Sequence, residues 1–444
     1  MEQILFGLDI GTTKVCAIVG ALQEDELQII GVGVVPSRGM RKGMVVDVRE
    51  ASVAIASAIE KAEQSSGYEL TDALVSMAGE HISCTNSRGL APINQDNNGI
   101  VVDDIERALE AAQAIPVPYN REIVHMIPRE YTVDEHKGVK NPLGMHGYRM
   151  EVESHIINAA IPALRNLGKC ATNVGINVEE YVLNVLASGE AVLEPNEREM
   201  GVIVADIGGG TTDIALYRRG TIWYTKVIPI GGYQITNDIA IGLRAPYEVA
   251  ESVKIQYGDC RPKQIDPNIV FPVEPFGGEK IQVGRQDLAF VIEARVEEVF
   301  KLILQAIQQS GYDGLLPAGI VLTGGTAQLR GITDVAERVL NVPARVANPR
   351  NLLGLVDDLH SPAYATGVGL LQWARSGSQN YRPRVPQRRQ FGRRVGTFLR
   401  AFLPGSVVLP QSTAHVQRGL NCIGVCSVLF CNFVKRVVNI KGIV

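Results

Sequence analysis

Apolar residues recur along this chain with spacings that predict alternating strands and helices, the pattern of an α/β protein. Residues 1–35 contain three strand-like apolar runs. Residues 50–66 place Ile55, Ile59 and Ala62 on one face of a helix. We therefore expect the first lobe to begin with a small sheet covered by this helix.

The second half of the chain repeats this order. From Gly201 to Ile230 the pattern predicts a strand, a glycine turn and two more strands, and residues 246–257 are predicted to be helical. The proline-bearing stretch 262–284 is expected to be irregular, whereas residues 286–310 carry the longest helical pattern. We assign a second lobe to the chain after Gly201.

The pattern changes between about Ala78 and Pro162. Strand-like runs at 122–126 and 148–157 surround a helix predicted over 103–114, with Asp103 and Asp104 as its capping residues. This block is predicted to be a small α+β insertion within the first lobe.

Three glycine–threonine turns follow strand-like runs and carry the candidate chemistry. They are Asp9-Ile10-Gly11-Thr12-Thr13-Lys14, Asp206-Ile207-Gly208-Gly209-Gly210-Thr211-Thr212-Asp213 and Leu322-Thr323-Gly324-Gly325-Thr326-Ala327. Glycine lets backbone N–H groups approach a phosphate closely, and threonine hydroxyls add donors. Aspartate at a strand end suits hydrated Mg²⁺, which prefers carboxylates and retains waters. One such turn alone is equally consistent with an ordinary β-turn, but three in this order predict a nucleoside triphosphate held between two lobes.

Two further segments are rich in small residues. They are Ala187-Ser188-Gly189-Glu190-Ala191-Val192 and Ala363-Tyr364-Ala365-Thr366-Gly367-Val368-Gly369. Small side chains allow two helices to approach closely, so we expect these segments to cross at a hinge between the lobes.

The composition is that of a globular protein with at least two domains: 444 residues, 46% hydrophobic and 20% charged. Four cysteines of the main body, Cys16, Cys84, Cys170 and Cys260, have no metal-binding or redox spacing, which favours a reducing compartment. The first residues lack the basic start of a signal peptide, and no apolar run reaches the roughly eighteen residues of a spanning helix.

Charge is distributed unevenly along the chain. All 47 acidic residues lie at or before Asp358, and twelve of the 43 lysines and arginines follow it. An acidic body of net charge −16 therefore precedes a tail of +12. Such a tail predicts an anionic partner surface, either a membrane or a nucleic acid.

Residues 391–403 of this tail predict a short amphipathic helix. Its apolar positions form one stripe: Phe391, Val395, Phe398, Leu399, Phe402 and Leu403. Its arginines lie off that stripe: Arg393, Arg394 and Arg400. A basic face opposite a Phe/Leu face is typical of a helix lying on anionic lipids. The alternative is a final core helix of the body, which the basic linker at 375–390 disfavours. We expect no nucleic-acid partner, because phosphate would leave the apolar stripe without a role.

The three turns and the two small-residue helices together resemble the ATPase superfamily of actin, Hsp70 and the sugar kinases. Within it, residues 1–403 are similar to the FtsA family of actin-like bacterial cell-division proteins. The segments that carry this resemblance are 37–47, 79–82, 127–131 and, most specifically, Asn141-Pro142-Leu143-Gly144-Met145-His146-Gly147-Tyr148-Arg149-Met150-Glu151-Val152-Glu153.

The resemblance implies a two-lobed, actin-like (ribonuclease-H-like) fold with defined parts. The first-lobe core would comprise 1–79 and 163–200, and the inserted subdomain 80–162. The second-lobe core would comprise 201–234 and 306–374, and its smaller subdomain 235–305. The basic linker (375–390), the amphipathic membrane helix (391–403) and an atypical tail (404–444) would follow.

The resemblance also implies the ligands. Asp9 and Asp206 would hold the Mg²⁺ of bound ATP, and Glu251 and Lys254 would lie at the ribose. The implied nucleotide-binding residues are Gly11, Thr12, Thr13, Lys14, Gly208, Gly209, Gly210, Thr211, Thr212, Glu251, Lys254, Gly324 and Gly325, the last two under the adenosine.

Family membership would further imply four kinds of partner. The smaller subdomain 235–305 would bind the C-terminal peptide of the tubulin-like protein FtsZ, with Arg295 and Lys301 as candidate contacts. Copies of the chain would form filaments, and the helix 391–403 would bind anionic lipids. Other cell-division proteins would be recruited to the same place, the inner face of the bacterial cytoplasmic membrane at the division site.

The sequence departs from this family in two places. Where relatives that hydrolyse ATP well carry Glu or Gln, Asn184 or a neighbour stands here, and Asn can orient a water but cannot act as a base. We therefore expect at most a slow ATPase. Some forty residues also follow the usual end near Pro404. They hold Cys422, Cys426 and Cys431, and we expect no function for them, with a membrane contact or lipidation as the alternative.

Two other functions remain open from the sequence. One is a sugar-kinase-like enzyme of the same superfamily, and the other is a pilus-assembly platform protein with the same type of insertion.

Overall fold

The computed structural model of the chain describes residues 3–376 apart from residues 25, 95–97, 313, 315 and 356. The predicted linker beyond Ser376, the predicted helix 391–403 and the tail 404–444 lie outside the described residues.

The first lobe is built from two stretches of chain that enclose the insertion. Its first stretch holds β1 (Gln3–Ile10), β2 (Lys14–Gln23), β3 (Glu26–Pro36), β4 (Met40–Arg41), β5 (Met44–Val45), α1 (Val48–Ser66) and β6 (Asp72–Met77). The insertion holds β7 (Ile82–Pro92), α2 (Val102–Gln113), β8 (Arg121–Val133), β9 (His136–Val139) and β10 (Arg149–Ala160). The chain then returns through α3 (Ile161–Thr172), β11 (Asn177–Leu183), α4 (Asn184–Val192) and α5 (Pro195–Met200).

The second lobe follows without a break. Its elements are β12 (Val202–Ile207), β13 (Thr212–Arg218), β14 (Thr221–Ile228), α6 (Gly232–Leu243), α7 (Tyr247–Tyr257), β15 (Val270–Val273), β16 (Ile281–Gly284), α8 (Arg285–Ser310), β17 (Ile320–Thr323), α9 (Ile332–Leu340) and β18 (Ala344–Val346). The last elements are β19 (Leu353–Gly354) and α10 (Ala365–Arg375). Single 3-10 turns lie at Pro262–Gln264, Gly325–Gln328, Asp357–Leu359 and Pro362–Tyr364.

The two lobes share one sheet topology. The first sheet has the order β11-β6-β1-β2-β3-β19, and the second has the order β14-β13-β12-β17-β18. In each, an antiparallel meander of three strands carries a parallel partner on its first strand: β6 on β1, and β17 on β12. The carboxyl ends of β1 and β12 lead into the first two glycine turns, so this repeat gives each lobe a corresponding turn. The predicted two-lobed, actin-like α/β fold with a small α+β insertion is confirmed.

The insertion packs on the second lobe, although it interrupts the chain of the first. Its four-stranded sheet, β7-β10-β8-β9, carries Arg129, which is 5% exposed. The Arg129 guanidinium lies 4.0 Å from the centre of the Trp223 ring on β14 and donates to the hydroxyl of Tyr312 at 2.9 Å. A buried cation over an aromatic face is favourable, so this side chain fastens the insertion to the second lobe.

The structure differs from the sequence-based expectations in three local features. Residues 262–284 include the hairpin β15–β16, because alternate residues Phe271, Val273 and Val283 are buried against the second core. Val101, rather than Asp103 or Asp104, is the N-cap of α2. Asp104 lies three residues further in and accepts from the Val101 N–H at 3.0 Å.

The third difference concerns a lobe boundary. The predicted range 306–374 of the second lobe includes β19 and α10, which the structure places on the first-lobe sheet. Helix α10 belongs there because Leu370 and Leu371 pack against Gly7 of β1 and Gly20 of β2. The predicted boundary at 305/306 falls inside α8.

Helices α4 and α10 cross in close contact, as their small residues predicted. A Cβ atom on Gly369 would lie 1.9 Å from the carbonyl oxygen of Ala187, so only glycine allows this approach. On Gly367, in the same helix, a Cβ would lie 2.9 Å from the end of the Ile18 side chain, which can move aside.

These positions give a matched test of the helix crossing. We expect Gly369→Ala to lower the free energy of unfolding by about 1–3 kcal/mol or more, because the methyl group forces two backbones apart. Gly367→Ala should cost clearly less. Urea unfolding followed by circular dichroism measures both, and equal effects would show that the crossing is not the tighter constraint.

Candidate functional site

A cleft of about 470 Å³ lies between the two lobes, where the three glycine turns meet. The first turn follows β1, the second follows β12 and the third follows β17. Because β12 pairs in parallel with β17, the carboxyl ends of both strands lie at the same edge of the sheet. Ligands bind at such edges of α/β sheets.

The first two turns touch each other across the cleft. A Cβ on Gly209 would lie 2.3 Å from the Thr13 methyl group, and one on Gly210 would lie 2.6 Å from the Thr12 hydroxyl. Side chains at these two positions would hold the lobes apart. The glycines therefore permit the closed arrangement as well as an approach of backbone to ligand.

Two buried aspartates end the strands that lead to these turns. Asp9 accepts from the Ser76 hydroxyl at 2.8 Å, and Asp206 accepts from the hydroxyl of Thr366, in α10, at 2.8 Å. Burial raises the pKa of both carboxyl groups, and the positive charge of Lys14 partly opposes the rise. Two carboxylates held in a low-dielectric site favour a cation beside them.

A third carboxylate, Asp213, was missed by the sequence-based assignment of site residues. It lies directly opposite Asp206 in the β12–β13 pair and lines the cleft. Its Oδ2 accepts from the Thr211 hydroxyl at 2.9 Å, whereas its Oδ1 has no hydrogen-bond partner in the part of the chain that the structure describes. Burial, and then the charge of Asp206, raise the pKa of Asp213 well above its ordinary value.

The spacing of the two acids in the hairpin could have identified Asp213 as a site residue. Asp206 and Asp213 are seven residues apart and pair across a tight turn, as do Asp9 and Cys16 in the first hairpin. The two hairpins thus have the same geometry, but only the second has an acid at both positions.

Lys14 faces the second lobe from the first turn. Its ammonium group donates to the carbonyl oxygen of Ala363 and lies 5.0 Å from the centre of the Tyr364 ring. Against the larger effect of burial, its positive charge lowers the pKa of Asp9 and of Asp206. Its position allows it to reach an anion in the cleft.

The opposite end of the cleft is formed by α6 and α7. The Lys254 ammonium donates to Glu251 Oε2 and to the Thr236 hydroxyl, both at 2.8 Å. Burial lowers the pKa of Lys254, an effect that Glu251 opposes. Tyr233 and Tyr247, which were not predicted, stack with their ring centres 4.8 Å apart and also line the cleft.

Most of the predicted site residues therefore line one cleft. They are Gly11, Thr12, Thr13, Lys14, Asp206, Gly208, Gly209, Gly210, Thr211, Glu251, Lys254, Gly324 and Gly325. Two of the predicted residues do not line it. Thr212 is fully buried and donates its hydroxyl to the Ile230 carbonyl at 2.8 Å, and Asp9 lies behind the cleft surface.

Asn184 lines the cleft at the first residue of α4. Its amide oxygen is buried and has no hydrogen-bond partner among the described residues. A buried unpartnered oxygen favours a water or ligand donor at this place.

Chemically, the cleft combines backbone and hydroxyl donors, two ammonium groups and buried carboxylates. Donors suit an anion, and the unpartnered oxygen of Asp213 suits a hydrated divalent cation that accompanies it. The residues present therefore fit a nucleotide with Mg²⁺.

In the described part of the chain, no helix is long and apolar enough to cross a membrane.

Comparisons with known protein families give two matches. Residues 203–369 match the family model described as "Cell division protein FtsA". Residues 79–158, which hold the insertion, match the model described as "SHS2 domain inserted in FTSA".

Solved structures similar to this chain have the same fold. A chain of a "PilM-PilN type IV pilus biogenesis complex" superposes with a TM-score of 0.61 at 17% identity, over 82% of this chain and 97% of that one. The MreB5 protein of Spiroplasma citri, bound to ADP, superposes with a TM-score of 0.50 at 15% identity, over 84% and 97%. At these identities the likeness concerns the fold alone.

Curated relatives are much more similar in sequence. The cell division protein FtsA of Pseudomonas aeruginosa is 42% identical over 373 residues, covering 84% of this chain and 89% of the relative. Those of Bacillus subtilis and Escherichia coli are 40% and 37% identical, covering 84% and 87% of this chain and 84% and 94% of the relatives. With such identity over most of both chains, this chain belongs to the FtsA family of cell division proteins.

Proposed function

We propose that this chain is an ATP-binding, membrane-tethered, actin-like scaffold. It anchors the FtsZ ring to the inner face of the cytoplasmic membrane and helps recruit later cell-division proteins. The observation that carries the proposal is the cleft, in which matching glycine turns of two lobes meet over buried carboxylates in a member of the FtsA family.

In this proposal ATP is held mainly as a structural ligand. Asp206 and Asp213, with Asp9 behind them, would hold the Mg²⁺, whose positive charge would offset the repulsion between the carboxylates. Asn184 orients a water but takes no proton from it, because an amide is not a base at neutral pH. Any hydrolysis is therefore slow, and the nucleotide serves to keep the lobes closed.

The smaller subdomain of the second lobe binds the FtsZ C-terminal peptide. Its hairpin leaves Val270 and Phe276 exposed, with 54% and 72% of their surfaces accessible, which suits an apolar peptide contact. Of the two candidate basic residues, Arg295 makes a two-pronged ion pair with Asp238, at 2.6 and 2.9 Å. Lys301 is 58% exposed and, in the part of the chain that the structure describes, forms an ion pair only with Glu297, so it is the better peptide contact.

The helix predicted at 391–403 supplies the membrane attachment. It is about 20 Å long at 1.5 Å per residue, too short to span a bilayer. Its phenylalanines enter the interface and its arginines face anionic headgroups. Each buried apolar side chain contributes roughly 1.5–3 kcal/mol before entropic costs, so one helix binds weakly. Filaments of many copies bind through avidity.

The alternatives are less well supported. The pilus protein shares the fold at 17% identity, against 37–42% for the cell division proteins. A sugar kinase has no use for an amphipathic helix after its body.

The nucleotide site can be tested with Asp206→Asn, which keeps the shape of the side chain and can still accept from Thr366. With Mg²⁺ and ATP at a hundred times its Kd, the wild type should gain about 2.7 kcal/mol of stability. We expect the variant to gain little. Thermal unfolding with Mg·ATP and with EDTA measures this, with the exposed Asp103→Asn as the matched control. An undiminished gain in the variant would remove Asp206 from the site.

The same variant carries a pH signature. Because burial raises the pKa of Asp206 in the folded state, its carboxyl group destabilises the fold once the pH exceeds the unfolded value of 3.8. In EDTA at neutral pH the Asn variant should therefore unfold at a higher temperature than the wild type. This advantage should shrink as the pH falls below the raised folded-state pKa and vanish at a pH well below 3.8, where the wild-type carboxyl is neutral in both states.

The membrane attachment predicts that Phe398→Glu with Phe402→Glu releases the protein from anionic liposomes and leaves ATP binding intact. The control is Thr397→Glu with Ala401→Glu, which adds the same charge on the polar face of the helix. If co-sedimentation is lost equally in both variants, charge rather than the apolar stripe governs attachment. If the phenylalanine variant still sediments, the anchor lies elsewhere, with the tail after Pro404 as the next candidate.

The FtsZ contact predicts that Lys301→Glu weakens binding of a synthetic FtsZ C-terminal peptide by roughly threefold to tenfold. Lys226→Glu makes the same charge change on β14, outside the smaller subdomain, and should leave binding unchanged. Titration calorimetry decides between them. Unaltered affinity in the Lys301 variant would exclude this residue but not the subdomain.

A further inference from the structure

The chain between β3 and α1 has no role in the function proposed above. We define residues 37–47, which contain β4 and β5, as the bridging loop. At its start the Ser37 N–H donates to the Thr13 carbonyl at 3.0 Å, next to the first phosphate turn. At its end Asp47 caps α1 by accepting from the Glu50 N–H at 3.0 Å. Val46 N–H closes the loop on the Gly39 carbonyl at 2.8 Å.

The tip of the bridging loop touches both lobes at the cleft. Gly43 lines the cleft, and its N–H donates to the Thr12 hydroxyl of the first turn at 3.1 Å. A Cβ on Gly210, in the second turn, would lie 3.0 Å from the Cα atom of Lys42. Lys42 therefore lies where the turns of the two lobes meet.

The backbone at this tip is held in an unusual conformation. Lys42 has a φ of +49°, in the left-handed region that side chains other than glycine rarely adopt. Gly43 follows with a φ of +73°, and a Cβ there would lie 2.7 Å from the Ala78 carbonyl oxygen. Non-glycine residues persist in this conformation where packing holds them, frequently at ligand sites.

Among the described residues, the charge of Lys42 has no counterpart. The residue is partly buried, and within those ranges it has no ion pair or side-chain hydrogen bond. Its neighbour Arg41 is exposed. A lysine whose backbone lies where the two phosphate turns meet is best explained by a ligand phosphate, because its ammonium group can form strong charge-assisted hydrogen bonds with that anion.

The direction of the second turn identifies which phosphate. Gly208, at its start, accepts from the N–H of Gly232, whose own carbonyl accepts from Lys254 at the predicted ribose end. Gly210, at its finish, lies against Lys42. Lys254 and Lys42 thus flank opposite ends of one turn, and a nucleotide with its ribose at Lys254 directs its phosphate chain towards Lys42.

We propose that Lys42 contacts the terminal phosphate of the bound nucleoside triphosphate and that the bridging loop thereby distinguishes ATP from ADP. This inference rests on the proposed nucleotide-binding function of the cleft. Lys42 acts as a specificity-determining residue, and because its loop touches Gly210, the same contact favours the closed lobes.

The test compares affinities for Mg·ATP and Mg·ADP in the full-length chain by titration calorimetry. Lys42→Asn removes the charge and keeps a residue that tolerates positive φ. We expect ATP affinity to fall by about tenfold or more, with ADP affinity changed less than about twofold. Lys42→Arg should retain most of the ATP preference, and Arg41→Asn, which removes an adjacent exposed charge, should behave as the wild type.

Each result bears on a different claim. Lys42→Asn with unchanged ATP affinity, or with equal losses for ATP and ADP, would overturn the inference while leaving the nucleotide site in place. A wild-type chain that binds neither nucleotide would overturn the proposed function and this inference together. The inference is supported if Lys42→Asn lowers the affinity for ATP but not for ADP, and if Lys42→Arg keeps the affinity for ATP close to that of the wild type.

Discussion

The constraint on which the junction of the two lobes depends is the crossing of α4 and α10, both of them helices of the first lobe. Gly369 brings α10 against the Ala187 carbonyl at a distance that any side chain would prevent. The first residues of α10 then place the Thr366 hydroxyl on Asp206 of the second lobe. This helix pair of the first lobe therefore carries the hydrogen bond to the buried carboxylate of the second lobe. Because the residues of both helices have small side chains at the crossing, contact between the two backbones sets the relative position of the helices.

Next to this crossing lie three buried carboxyl groups whose charges the described part of the protein only partly neutralises. Asp9, Asp206 and Asp213 are all buried, and the pKa of each is raised by that burial. Lys14 offsets only part of this cost. Repulsion between these carboxylates raises the free energy of the cleft when no ligand is bound. A cation bound together with a phosphate group would therefore lower that free energy substantially.

The insertion adds a second connection between the lobes. It belongs to the first lobe in sequence but holds Trp223 and Tyr312 of the second through the buried Arg129. His155 on β10 also contacts the Thr225 hydroxyl at 3.0 Å. A partner that moves the insertion would thus act on the second lobe directly.

The sequence by itself determined the features that depend on local spacing. The strand–turn hairpins at Asp9 and Asp206, the small-residue helices and the long helix α8 all follow from short-range patterns, and these are sufficient to predict the fold class and most of the cleft. The placement of α10 on the first lobe and the hairpin β15–β16 were decided by tertiary structure. Their environments come from residues far apart in the chain: the glycines of β1 and β2, and the core under the smaller subdomain. Thr212 shows the same limit, because it has the residue type of a phosphate ligand but its strand turns it towards the Ile230 carbonyl. Local chemistry selects candidates, and long-range packing decides which of them face the ligand.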